Sequence, residues 1–141
     1  MSDNIKHECG IALVRLLKPY QYYIDKYKTP SYGLNKLYLL MEKQHNRGQD
    51  GAGVAVIKLD MPPGADYIFR SRNASNQAMK EIFSKAYEKI KNLPQGNTPD
   101  ADSLKKSIES IGELYLGHLR YGTHGDNSEQ VCHPFYRKNS W

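Results

Sequence analysis

The order of patterns along the chain predicts a layered domain of mixed sheet and helix, α/β or α+β. Three observations carry that reading. Two compact apolar runs, "CGIALVRL" from Cys9 and "GVAVIKL" over 53–59, have the length and composition of strands buried on both faces. Between them Leu34, Leu37, Tyr38, Met41 and His45 recur at the spacing of one helix face. Beyond them a hairpin, further helical pattern and the strand-like "ELYLGHLRYG" (113–122) complete the alternation.

Taken in order, the first strand begins at Cys9. "LKPYQYYIDKYKTPSY" follows with five tyrosines and two prolines, shows no clean period, and reads as an irregular surface excursion. The helix from Gly33 is expected to stop at Arg47-Gly48, where glycine relieves a left-handed turn. After the second strand, Pro62, Pro63 and Gly64 make a turn and "DYIFR" (66–70) is the hairpin partner. Residues 76–92 place Met79, Ile82, Phe83, Ala86 and Ile90 on one helical side. "NLPQGNTPDADS" is a loop, with Asp102 or Ser103 as N-cap of a short helix through Ser110. The tail "NSEQVCHPFYRKNSW" has turn and extended character.

A length of 141 residues suits one domain with a real core. No apolar run approaches the roughly 18 residues that span a bilayer, and the leading MSDNIKHE lacks the apolar stretch of a secretory signal. Two cysteines make no disulfide framework, so reduced thiols in a cytoplasmic protein are expected, with no Cys9–Cys132 bridge. Cys132 and His133 are adjacent rather than spaced like zinc ligands, and no metal site is expected. The net charge of +5 is interleaved with acids, as in "SKAYEKIKN", which argues against a nucleic-acid footprint. A mild positive field suits a small anionic substrate instead.

Three segments can carry chemistry. In "HNRGQDGAG" (45–53), glycines at 48, 51 and 53 let the backbone approach another group closely. It is not a phosphate loop, and on its own it reads equally as a tight helix-to-strand turn. In "GHLRYGTHG" (117–125), a buried arginine needs an anionic partner, and its planar fork suits a carboxylate. Arg120 with Thr123 can grip a carboxylate-bearing ligand, or Arg120 can pair internally with Glu113 or Asp50. Cys9 is either a buried core thiol or a nucleophile.

Together, Cys9-Gly10-Ile11, Arg47 through Gly53, and Gly117 through Gly125 resemble, in order, the glutaminase domain of class II glutamine amidotransferases, the N-terminal-nucleophile group. Within that group "RGQD" and the late "HPFY" are most similar to the amidophosphoribosyltransferases, while "THG" is similar to the enzymes that make glucosamine 6-phosphate. The resemblance covers about two-thirds of the chain. Residues 17–32 and about 71–112 depart from it and are expected as surface insertions clear of the motifs.

The resemblance implies an α+β, four-layer αββα sandwich, here truncated at its C-terminal side. It implies a leader, residues 1–8, removed by self-processing, so that 9–141 is the N-terminal part of the glutaminase domain. Cys9 would be the catalytic nucleophile, activated by its own freed α-amine. Arg120, Thr123 and His124 would bind glutamine, and Arg47 and Gly48 would support the nucleophile. The family's Asn-Gly oxyanion pair and its amine-binding aspartate would lie beyond Trp141, so these residues alone are expected to be inactive. No cofactor is implied in this chain. Mg²⁺ and phosphoribosyl pyrophosphate belong to an absent phosphoribosyltransferase domain, with L-glutamine as the substrate here and a homo-oligomer at full length. Nucleic acid and membrane are not expected partners. Other acceptors, a sugar phosphate or an aspartyl adenylate, and a non-catalytic glutamine-sensing or partner-binding domain are the alternatives.

Overall fold

Side-chain burial alternates along the strands Gly10–Arg15 and Leu114–Leu119, while Ala52–Ile57, inside the sheet, is buried almost throughout. The structure is a computed structural model describing residues 8–94, 96–122 and 126–137, with the backbone alone at Arg47. The strands are β1 (Gly10–Arg15), β2 (Ala52–Ile57), β3 (Ile68–Asn73) and β4 (Leu114–Leu119). The helices are α1 (Tyr20–Tyr27), α2 (Tyr32–Lys43), α3 (Ala78–Lys91) and α4 (Ala101–Ser107). The sheet order is β1-β4-β2-β3 and every pairing is antiparallel, so the domain is α+β rather than α/β. No helix among the described residues is long and apolar enough to cross a membrane.

In register, Ala12, Gly117, Val54 and Ser71 form one row across the sheet; Leu13, Leu116, Ala55 and Arg70 form the next. Successive residues of a strand point to opposite faces, so the first row faces the helices and the second faces away. The α2 helix packs over β1 and β4, and α3 over β2 and β3. Leu34, Leu37 and Met41 of α2 are buried, as the expected helix face requires, each worth about 1.5–3 kcal/mol on burial. His45 leaves that face: it is exposed in a single 3₁₀ turn, His45–Arg47, beyond the helix.

Several expectations are corrected. The first strand is an edge strand from Gly10, and Ile11 and Leu13 stand 71% and 58% exposed on the open face. A continuous apolar run does not reveal that only one of its faces is covered. Residues 17–32 are no irregular excursion: they contain α1, whose Tyr20 and Ile24, four apart, are buried in the core. Burial pushes the Tyr20 phenol up, and its hydroxyl donates to the Pro30 carbonyl. The stretch 71–112 is no surface insertion either, since Ile82, Phe83, Ala86, Leu104, Ile108 and Ile111 are core residues. The cap of α4 is Asp100, whose side chain accepts the Ser103 N–H at 3.0 Å, and the helix ends at Ser107. The hairpin partner begins at Ile68 rather than Asp66.

At the β4 N-terminal end lies a buried polar knot. Lys105 Nζ stands 2.6 Å from Glu113 Oε1, and the Leu59 N–H donates to Glu113 Oε2 at 2.8 Å. Lys58 donates to the Lys105 carbonyl, and burial lowers its pKa. Glu113 is therefore engaged at the opposite end of β4 from Arg120, which removes it as that arginine's partner.

Candidate functional site

The corner of the sheet where β1 starts, β4 ends and β2 starts gathers residues from all three sequence motifs. Cys9 immediately precedes β1 and its thiol is exposed. Antiparallel pairing sets Gly10 opposite Leu119, which carries Cys9 to the segment just past β4. There the Tyr121 N–H points at Cys9 Sγ from 3.4 Å, while Sγ lies 4.0 Å from the Tyr121 carbonyl oxygen. Gln44, following α2, ties the helix end to the same strand by donating to the Ile11 carbonyl at 3.1 Å.

Two glycines of the 45–53 motif are required by close approach. A β-carbon on Gly48 would come within 2.7 Å of the Leu119 carbonyl carbon and oxygen. Gly48 itself is extended, with φ −148°, so it serves to admit the β4 backbone and not to make the left-handed turn expected at the helix end. Gly51 has φ +146°, and a β-carbon there would meet Cys132 Sγ at 2.7 Å. With these side chains absent, the loop zips onto the chain beyond β4. Arg120 N–H donates to Gly51 O at 2.8 Å and Asp50 N–H to Arg120 O at 3.0 Å.

Arg120 is only 7% exposed, and its Nη1 donates to Asn127 Oδ1 at 3.0 Å. Asp50, the second carboxylate considered for it, accepts the Gly122 N–H on Oδ2 at 2.8 Å. The space beside Gly122 is shared: a β-carbon there would lie 3.3 Å from both Arg120 Nη1 and Asp50 Oδ2. Cys9, Gly48 and Arg120 are thus brought together. Thr123 and His124 lie outside the described residues, as does the Arg47 side chain. Of the leader, only Glu8 is described, and it is exposed.

Sequence reasoning missed two contributors. The Tyr121 peptide faces the thiol through backbone atoms, which no residue type signals. Asn127 holds the guanidinium, and its only signal was an amide-bearing residue shortly after the arginine. Cys132 plays no part in this corner's chemistry; it is buried beneath Gly51, and burial pushes its thiol up. The 71–112 stretch also reaches the motif, because Ser75, Asn76, Ala78 and Met79 line a small cleft with Gly48, Gln49 and Gly51.

Across the open sheet face, residues 130–136 run as a strap. Arg72 donates to the Cys132 carbonyl at 3.1 Å, and the His133 ring meets the His118 ring edge-on with centroids 4.9 Å apart. Burial, then His133 and Arg120, lower the His118 pKa. Cavity size does not mark the Cys9 corner: a cavity of about 820 Å³ lies at the other end of β2, under the 58–68 hairpin. No group of three or more His, Cys, Asp or Glu side chains among the described residues is arranged to hold a metal ion. Comparison with family models, with curated proteins and with solved structures yields no match.

Proposed function

We propose that this chain is the N-terminal part of a class II glutaminase domain, in which Cys9 attacks the side-chain amide of glutamine. One observation carries the reading: the exposed Cys9 thiol receives the backbone N–H of Tyr121, the residue that follows the buried Arg120. That is the pairing a nucleophile and a carboxylate anchor need if one substrate is to reach both.

A cysteine thiol of ordinary pKa, about 8.5, is only slightly ionised near neutrality and needs a base. Once the peptide bond before Cys9 is cleaved, the freed α-amine, of ordinary pKa about 7.7–8.0, takes the thiol proton. The thiolate adds to the amide carbon of glutamine. The C–N bond then breaks, and the amine's proton leaves with the nitrogen as ammonia. Water hydrolyses the remaining γ-glutamyl thioester, releasing glutamate and restoring the thiol. Arg120 holds the substrate α-carboxylate through its planar fork. The Tyr121 N–H, 3.4 Å from the sulfur, helps hold it in place.

Ammonia then passes to phosphoribosyl pyrophosphate, giving 5-phosphoribosylamine for purine synthesis; Gln49 and the "HPFY" stretch support this acceptor over a sugar phosphate or an aspartyl adenylate. The exposed Ile11 and Leu13 support a four-layer sandwich, since a second sheet on that face would cover them. The test is intact mass and ammonia release of the full-length protein. The mature chain is expected to begin at Cys9, and Cys9→Ala to abolish both processing and glutaminase activity. Ammonia release by Cys9→Ala at the normal rate defeats the assignment, and an uncleaved leader on a glutamine-binding protein points to the sensor reading.

A further inference from the structure

We propose that Asp50 is a positioning residue for the Cys9 thiol, acting through the two peptide units that flank Tyr121. A peptide unit is planar, and in its trans form the C=O and N–H point to opposite sides. In the first unit, Arg120 C=O accepts the Asp50 N–H at 3.0 Å, while Tyr121 N–H points at Cys9 Sγ from 3.4 Å. In the second, Gly122 N–H donates to Asp50 Oδ2 at 2.8 Å, while Tyr121 C=O faces Sγ at 4.0 Å. Both planes are therefore gripped by Asp50 on one side and present their other pole to the sulfur. Turning either plane to satisfy another partner would swing the N–H or the C=O away from the thiol. The first grip uses the Asp50 backbone and survives any substitution; the second uses the carboxylate alone. Gly122 is exposed, so without that carboxylate nothing described fixes its N–H. Asp50 thus sets the reactivity of a sulfur it does not touch.

The inference rests on Cys9 being the nucleophile, but its test needs no glutamine. The intact protein is alkylated with iodoacetamide at one pH, and modification of Cys9 is followed by peptide mass spectrometry. The buried Cys132 serves as an internal check on folding. Asp50→Ala, which removes the acceptor and lets the Tyr121 carbonyl swing away from the sulfur, is expected to speed alkylation of Cys9 about fivefold, the scale of a weak hydrogen bond that the thiol no longer makes. Asp50→Asn keeps an acceptor oxygen and is expected to stay within about twofold of the unaltered protein. A wild-type rate in Asp50→Ala overturns the proposal, and so does an Asp50→Asn rate as fast as that of Asp50→Ala. Should the Ala variant not fold, hydrogen exchange at the Gly122 amide of the unaltered protein decides. Protection there supports the grip, and exchange at the free-chain rate overturns it. Ammonia release is recorded alongside: its absence from the wild type, with the alkylation pattern intact, sinks the glutaminase reading and leaves the Asp50 grip standing.

Discussion

Both ends of β4 bury cationic side chains, and they use them differently. At the N-terminal end Lys105 is 6% exposed and meets the Glu113 carboxylate at 2.6 Å; Lys58, the Leu59 N–H and their partners close the knot. Charge and hydrogen-bonding capacity are spent inside the wall. At the C-terminal end Arg120 is 7% exposed, and its Nη1 donates to the Asn127 amide oxygen at 3.0 Å. Next to it stand an exposed thiol and a carboxylate that holds backbone rather than an ion. Buried charge alone therefore does not mark a site. What distinguishes the Arg120 end is that its polar groups converge beside a reactive atom open to solvent.

The comparison breaks most visibly at Lys105. Lys105→Met would strand the Glu113 carboxylate in the interior, and breaking a buried pair in this way costs about 3–5 kcal/mol. Denaturant unfolding should register that loss, while the Michaelis constant for glutamine of the protein that remains folded stays where it was. Arg120→Ala should give the reverse pattern. Losing charge-assisted hydrogen bonds to the substrate carboxylate raises the Michaelis constant about tenfold or more, with turnover less affected. An unchanged constant in steady-state assays removes Arg120 from its role.

The smallest expected effect concerns the strap over the open face. His118 is held toward its neutral form by burial and by His133 and Arg120, and its Nδ1 is buried with no hydrogen-bond partner among the described residues. A histidine whose folded pKa is lowered contributes no penalty above its unfolded value. As pH falls below about 6.5 the unfolded chain takes up the proton first, so stability declines. Melting temperatures across that range should show the decline, and His118→Gln, which cannot titrate, should flatten part of it. A decline of equal size in the variant would assign it to other groups.

How much was legible in the sequence differs between the same regions. The spacing of Leu34, Leu37 and Met41 announced α2, and the apolar 53–59 run announced β2 within two residues, because a core face imposes its period directly. The helix α1 was missed although Tyr20 and Ile24 stand four apart, because the surrounding tyrosines stack on each other at the surface and blur the period. Asp100 was passed over as a cap in favour of Asp102 and Ser103, yet Ser103 is the residue whose N–H it receives. Within the site, Cys9, Gly48 and Arg120 were legible as residue types with a chemical or steric reason to be there. The Tyr121 peptide was not, since its contribution is made by backbone atoms that every residue carries.

The central claim is that Cys9 is a nucleophile reached by glutamine. Its most direct test is to treat the mature full-length protein with an electrophilic chloroketone analogue of glutamine and to locate the adduct by peptide mass spectrometry. The account predicts a single adduct on Cys9, prevented by excess glutamine and missing from Cys9→Ala. An unmodified Cys9, or an adduct there that glutamine does not prevent, would contradict it.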